Sequence, residues 1–265
     1  MSDRENTWIA NLKAVFKALQ TSFAIQVNRS CSMHLHVKPV QGWHPQEVKS
    51  LAKAAAVFDD AITKIMPADR KASPWARSNF HDVNSLIPLT NIEKRLVAEF
   101  SQVGRKAWRH LFDRFDTRLR RNEDIPQVLG DQRSVSMNFL PVNNGDCGTI
   151  EFRRPPGVRT AQEAQRWAGF AVAFMSASLS PNWNPAADWS SKTAHATVKD
   201  LHSFLGQGLA YLKNATHYDR KRVMIPGSFA PDNAQPLARS DYDNDLIRAK
   251  LEKAQQQGSF EKVRL

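Results

Sequence analysis

Two short segments of the chain alternate strictly between apolar and polar side chains, the pattern of a β-strand with one buried face. The polar positions of the first segment, residues 32–37, are Ser32, His34 and His36. The polar positions of the second, residues 149–153, are Thr149, Glu151 and Arg153. If both strands lie in one sheet with their apolar sides in the core, two histidines, one glutamate and one arginine meet on the opposite face. Such a set indicates a site for a metal ion and a phosphate group.

A third alternating segment, residues 23–27, precedes the histidine strand, and a polar turn at residues 28–30 separates the two. Two strands joined by a short polar connection are typical of an antiparallel hairpin. The pattern therefore predicts that residues 23–27 pair with residues 33–37.

A second hairpin is predicted further along the chain. Residues 133–140 alternate between apolar and polar side chains, and the Asn-Asn-Gly-Asp sequence at residues 143–146 favours a turn before the glutamate strand. Pairing of these two strands would bring Arg133 and Asn138 close to Glu151.

Apolar side chains at spacings of three and four residues predict helices between and after these strands. The predicted helical ranges are residues 7–21, 45–65, most of 91–121, a helix capped by Thr160, and 198–212. Helices and hairpins together predict an α+β fold, with an antiparallel sheet that carries helices mainly on one face. We expect one domain over residues 1–215 and a loosely structured extension over residues 216–265, with a polar helix near residues 243–257.

Composition excludes several classes of protein. Of the 265 residues, 42% are apolar and 24% are charged, which is ordinary for a globular protein in water. No apolar run approaches 18 residues, so no membrane span is predicted. The first residues do not resemble a secretory signal, and two cysteines are too few for a disulfide framework. We therefore expect a cytoplasmic protein.

The net charge of +11 is the one unusual feature of the composition. A basic surface attracts RNA and phosphorylated small molecules, although it can also have no dedicated partner. Residues 105–121 mix arginines with aromatic side chains, and residues 220–222 are Arg-Lys-Arg. This pattern fits an RNA or aminoacyl-tRNA binding surface. It fits equally well the solvated outer face of an amphipathic helix.

Four stretches of the sequence, taken in order, resemble the fungal amidoligases, which are relatives of glutamine synthetase and glutamate–cysteine ligase. They are Cys-Ser-Met-His-Leu-His-Val at 31–37, Phe-Asp-Asp-Ala-Ile at 58–62, Pro-Ala-Asp-Arg at 67–70, and Gly-Thr-Ile-Glu-Phe-Arg-Arg-Pro-Pro at 148–156. The resemblance extends from about Trp8 to Ser178. Its most specific part is the combination of the first and last stretches.

The resemblance implies a carboxylate–amine ligase with small-molecule substrates. Such an enzyme uses ATP and magnesium to convert a carboxylate into an acyl phosphate, which an amine then attacks. By similarity, His34 and Glu151 would be metal ligands and His36 would lie near phosphate or substrate. Arg153 would face the transferred phosphoryl group, with Arg133 as a second cation.

The chain also departs from this family. The catalytic sheet of the amidoligases normally begins with a strand that bears two alternating glutamates, and nothing before residue 22 resembles it. One glutamate and one histidine make a poor magnesium site. Three explanations stay open: a gene model that lacks its first exons, a natural variant with altered chemistry, or a protein that binds without catalysis.

This departure leads to two expectations for the chain as given. We expect weak nucleotide binding with little ligase turnover, because metal ligands are missing. We also expect an exposed sheet edge near residues 23–37, which would favour self-association unless the C-terminal segment covers it.

The four converging side chains also have simpler interpretations. The two histidines could be polar side chains on a solvent-facing strand. Glu151 and Arg153 could form an exposed ion pair, which contributes little to stability. A separation of more than roughly 10 Å between Glu151 and both histidines would exclude a shared site.

Overall fold

A computed structural model of the protein describes residues 4–28, 30–71, 73–80, 89–143 and 147–212. The predicted extension at residues 216–265, with its polar helix, lies outside these ranges.

The described part of the chain is mixed, and its helices outweigh its strands. The helices are α1 (Arg4–Ser22), α2 (Pro45–Ile65), α3 (Ala68–Lys71), α4 (Asn91–Ser101), α5 (Arg109–Arg118), α6 (Ile125–Leu129), α7 (Ala161–Leu179), α8 (Pro185–Asp188) and α9 (Val198–Leu212). The strands are β1 (Leu35–Val37), β2 (Met137–Asn138) and β3 (Ile150–Phe152), with short 3₁₀ turns at Asn122–Asp124 and Leu140–Val142. The predicted α+β class is confirmed.

The three strands form an antiparallel sheet in which β3 lies between β1 and β2. The register places His36 of β1 and Asn138 of β2 on either side of Glu151 in β3. The next residue of β3, Phe152, points away from that face into the core and stacks on Phe170 of α7, with 5.6 Å between the ring centroids. One face of the sheet is therefore apolar and the other polar.

The first predicted hairpin is wrong. Residues 23–28 form no strand, and β1 pairs with β3 instead. Phe23 is 67% exposed and Val27 is 37% exposed, so the apolar side of this segment does not enter the core. Because no apolar face is buried, pairing this segment with a sheet would gain little hydrophobic stabilisation.

The second predicted hairpin is confirmed in its pairing but not in its length. β2 pairs antiparallel with β3, yet it contains only two residues of the predicted range 133–140. Directly before β2, the Ser136 carbonyl accepts from the Arg153 amide while the Ser136 amide donates to the Arg77 carbonyl, and Val135 forms an isolated parallel bridge with Arg77.

Helix α2 lies at the centre of the helical packing, where it contacts α5, α7 and α9. It begins with a capping box: the His44 side chain accepts the Gln46 amide, and Glu47 accepts the His44 amide. Pro45 occupies its first position, where no amide donor is needed. Most residues of α2 are buried.

No helix within the described ranges is both long enough and apolar enough to cross a lipid bilayer.

Helices α7 and α9 are in close backbone contact at Gly208. A Cβ atom at this position would lie 1.9 Å from the carbonyl oxygen of Ala173 and 2.8 Å from the amide nitrogen of Ala177. In the same helix, Phe204 stacks on Phe58 of α2 with 4.4 Å between the ring centroids. Only glycine permits this backbone separation.

We predict that Gly208→Ala lowers the free energy of unfolding by about 1–3 kcal/mol, because the new methyl group must force α7 and α9 apart. Gly206→Ala is the matched control. It lies in the same helix, an added Cβ would meet nothing within 4 Å, and alanine should stabilise the helix by up to about 1 kcal/mol. Urea denaturation of both variants measures the difference, and equal effects would contradict the close contact.

Candidate functional site

The predicted convergence of side chains on the polar face of the sheet is confirmed. Glu151 is 5% exposed, and the Oε1 atom of its carboxylate lies 2.9 Å from His34 Nδ1, 3.5 Å from His36 Nε2 and 2.8 Å from Arg153 Nη1. Its Oε2 atom accepts a hydrogen bond of 2.8 Å from the Asn138 amide. One buried carboxylate therefore has close nitrogen contacts from His34, Asn138 and Arg153, with the His36 nitrogen slightly further away.

Sheet geometry explains this arrangement. His36 and Asn138 are the direct partners of Glu151 in the two neighbouring strands. His34 lies two residues before His36 and Arg153 lies two residues after Glu151, and side chains two residues apart in a strand lie on the same face. Three strands are needed to complete the set.

Arg153 is held in place by more than Glu151. Its Nε atom donates to the carbonyl oxygen of Trp75 at 3.2 Å. The backbone carbonyls of Arg153 and Arg154 both accept hydrogen bonds from the buried Arg70 guanidinium, at 2.7 and 3.1 Å. Burial lowers the pKa of Arg70 to about 10, so this group stays charged at neutral pH. Together these hydrogen bonds connect the end of β3 with Arg70 and with the segment at residues 73–77.

The histidines connect the buried carboxylate with the surface. The far nitrogen of His34, Nε2, lies 2.9 Å from Ser32 Oγ, and Nδ1 of His36 lies 2.9 Å from Thr149 Oγ1. The imidazoles remain 33% and 45% exposed, so a ligand can reach both. Cys147 Sγ lies 3.0 Å from Thr149 Oγ1 and extends the second series.

The pKa of Glu151 reflects these contacts. Burial by itself would raise it, but hydrogen bonds from His34 and Asn138 and the charge of Arg153 lower it to about 2. Glu151 is therefore a carboxylate, and only an acceptor, at neutral pH.

These residues do not fit a magnesium ion. Magnesium prefers six oxygen ligands, and the site offers one carboxylate whose Oε1 atom already contacts a guanidinium and two imidazoles. The positive charge of Arg153 would also repel a cation at that oxygen. Among the residues that the structure describes, no group of three or more His, Cys, Asp or Glu side chains is placed to hold a metal ion. The roles of His34 and Glu151 as metal ligands stay predictions of the resemblance.

Arg133 lies apart from the residues just described. It precedes β2, its side chain is exposed, and no contact within the described ranges joins it to Glu151. Its role as a second cation stays a prediction.

Strand alternation could not identify two contributors to the site, although one of them, Arg70, lies in the Pro-Ala-Asp-Arg stretch of the resemblance. The Trp75 carbonyl and the Arg70 guanidinium reach it from segments without alternation. Ser32 and Thr149 were different, because alternation already placed them on the polar face.

Comparison with known protein families now adds a second line of evidence. Residues 4–175, more than half of the chain, match the family described as "Putative amidoligase enzyme". The chain belongs to this amidoligase family. No curated protein and no solved structure matches it. The matched region contains all three strands and every side chain that contacts Glu151.

We predict that the ionisation of Glu151 makes the protein sensitive to acid. Because its pKa is lower in the folded state than the usual value of 4.5, its stabilising contribution is present above about pH 4.5 and is lost as pH falls toward 2. The full contribution is at most about 3 kcal/mol. Urea unfolding between pH 2 and 7 measures it.

Glu151→Gln should flatten this part of the pH profile, while Glu123→Gln, at an exposed position, should not. A Glu151→Gln variant with the wild-type pH profile would show that the carboxylate does not titrate as described.

Proposed function

We propose that this amidoligase family member is a carboxylate–amine ligase that uses ATP, and that the polar face of its sheet receives the phosphate groups. The observation that supports the proposal is the convergence of Arg153, His34 and His36 on one face of the matched region. Three nitrogen-bearing side chains around a single carboxylate favour an anionic ligand.

The proposed reaction has two steps. A carboxylate oxygen of the first substrate attacks the γ-phosphorus of ATP, and the bond from that phosphorus to ADP breaks, which yields an acyl phosphate. The nitrogen of the amine then attacks the acyl carbon. The bond to phosphate breaks, the amine loses a proton, and an amide and inorganic phosphate remain.

We assign to Arg153 the role of binding the phosphoryl group while it is transferred. Its guanidinium is fixed on one edge by Glu151 and on another by the Trp75 carbonyl, so it needs little rearrangement when charge develops. His36, with its Nδ1 atom held by Thr149, is assigned to the nucleotide or substrate, and the exposed Arg133 to a second phosphate contact. No step is assigned to magnesium, because the donor set does not fit it.

We predict that Arg153→Gln weakens ATP binding about tenfold or more, because a hydrogen bond to a charged phosphate oxygen contributes roughly 1.5–3 kcal/mol. Calorimetric titration with ATP, with and without magnesium, measures the affinity. ADP release in the presence of amino-acid mixtures provides a second readout.

Arg159→Gln is the control for this experiment, because Arg159 is exposed and its contact with Glu163, at 3.8 Å, lies on the surface. Equal ATP affinity of wild type and Arg153→Gln would exclude the assigned role. Absence of ATP binding by the wild type would contradict the proposed function itself.

A second candidate function is RNA binding, which the exposed cations around α5 favour. These are Arg105, Lys106, Arg109, Arg118, Arg120 and Arg121. The aromatic and apolar side chains between them, such as Trp108 and Phe115, are buried and cannot stack on bases. Such a surface would contact phosphates without reading sequence. The basic run at residues 220–222 lies outside the described part of the chain.

If RNA binds at this surface, replacement of Arg118, Arg120 and Arg121 by glutamine should make the plot of log affinity against log salt concentration shallower by roughly 2. Fluorescence anisotropy with a single-stranded RNA at several salt concentrations measures this slope. A slope unchanged from wild type would place any RNA contact elsewhere.

A further inference from the structure

The polar face of the sheet contains a hydrogen-bonded series that ends at Ser32, a residue to which the ligase reaction gives no role. Ser32 Oγ lies 2.9 Å from His34 Nε2, and His34 Nδ1 lies 2.9 Å from Glu151 Oε1. Hydroxyl, imidazole and carboxylate follow each other through the same atoms as in the catalytic triads of serine hydrolases. Such triads are recognised by geometry and occur on unrelated folds.

The hydrogen bonds determine which nitrogen of His34 carries the proton. Ionised Glu151 can only accept, so the neutral imidazole must donate from Nδ1. Its Nε2 atom then has a free lone pair and accepts the hydroxyl proton of Ser32. The serine hydroxyl is thus directed at a base whose orientation is set by a buried carboxylate.

The burial of the three groups follows the same order. Ser32 is exposed, the His34 side chain is 33% exposed, and the Glu151 side chain is 7% exposed. The reactive oxygen therefore faces solvent, where a substrate can approach, and the carboxylate is shielded from water. The backbone around Ser32 is held against the continuation of β3 by a bridge to Pro156 and by the hydrogen bond from the Met33 amide to the Pro155 carbonyl.

We propose that Ser32 is a nucleophile for acyl transfer, that His34 is its general base, and that Glu151 is a positioning residue. The substrate class is an activated ester. Ser32 Oγ forms a bond to the acyl carbon, its proton passes to His34 Nε2, and the bond to the leaving oxygen breaks. His34 returns the proton to that oxygen. Water then releases the acid from Ser32 with the same base.

Positive charge next to the triad comes from Arg153, which shares Glu151 Oε1 with His34. Arg153 thus shares the carboxylate with His34 and helps to keep Glu151 ionised and oriented toward the imidazole. The activity needs no ATP and no metal ion, so it goes beyond the ligase reaction and can be tested separately from it.

A fluorophosphonate probe tests the nucleophile directly. Attack by Ser32 forms an oxygen–phosphorus bond and expels fluoride, and the product is stable enough for peptide mass spectrometry. The experiment uses the whole chain without ATP. We expect labelling at Ser32 at least about tenfold faster than at Ser30, an exposed serine whose hydroxyl donates to Asn28 instead of a histidine.

Variants separate the roles of the three residues. Ser32→Ala should abolish the label and Ser30→Ala should leave it unchanged. His34→Gln should slow labelling by about a hundredfold, the scale of general-base catalysis. Glu151→Asp, which keeps the carboxylate, should label faster than Glu151→Gln when both rates are expressed per folded molecule, with the folded fraction taken from urea unfolding, because a purely structural role would act only through that fraction.

Three outcomes would overturn the proposal. They are labelling of Ser32 no faster than that of Ser30, labelling of His34→Gln at the wild-type rate, and equal rates for the two Glu151 variants. ATP binding, measured on the same protein preparation, reports on the ligase proposal independently.

Discussion

The burial of one negative charge determines how the sheet of this protein is assembled. A carboxylate removed from water is costly unless donors surround it, and a single strand cannot supply them. Glu151 obtains its donors from β1, β2 and the segment around its own strand. The three strands must therefore pair for the Glu151 carboxylate to be hydrogen-bonded, and these hydrogen bonds in turn help to hold the strands together. The sheet is very short, and backbone pairing alone would give it little stability. The polar cluster and the apolar face packed on α7 therefore both contribute to holding it.

Buried arginine side chains also stabilise the fold outside the polar face of the sheet. Arg70, Arg77 and Arg154 are each at most 2% exposed. Two of them donate to backbone carbonyls that connect the end of β3 with residues 73–77. Arg77 pairs with Glu93 and so connects the same segment to α4. The net charge of +11 thus overstates the charge of the surface, because part of it is placed where no external partner can reach it.

Alternation predicted the convergence of His34, His36, Glu151 and Arg153, because side-chain direction along a strand is a local property. Together with the turn residues it predicted the pairing of β2 with β3, but it did not predict the partner of β1. Residues 23–27 have the same pattern as β1, but whether a strand joins a sheet depends on long-range burial that the pattern does not contain. The hydrogen bonds that join Arg153 to Trp75 and Arg70 could not be predicted for a related reason. In both bonds the acceptor is a backbone carbonyl, and every residue type has one. The helical spacing was more informative, since the interactions that define a helix lie within four residues.

The contact between α7 and α9 has a consequence for how much of the chain the folded core needs. The family match ends at residue 175, inside α7, whereas the packing around Gly208 joins α9 to the second half of that helix. Phe204 and Trp183, both beyond the match, complete the aromatic core around Phe58. The residues that the match covers are therefore fewer than the residues that form the aromatic core. A fragment of this chain that ended at residue 175 would leave the Phe58 ring uncovered on the side where Phe204 and Trp183 pack.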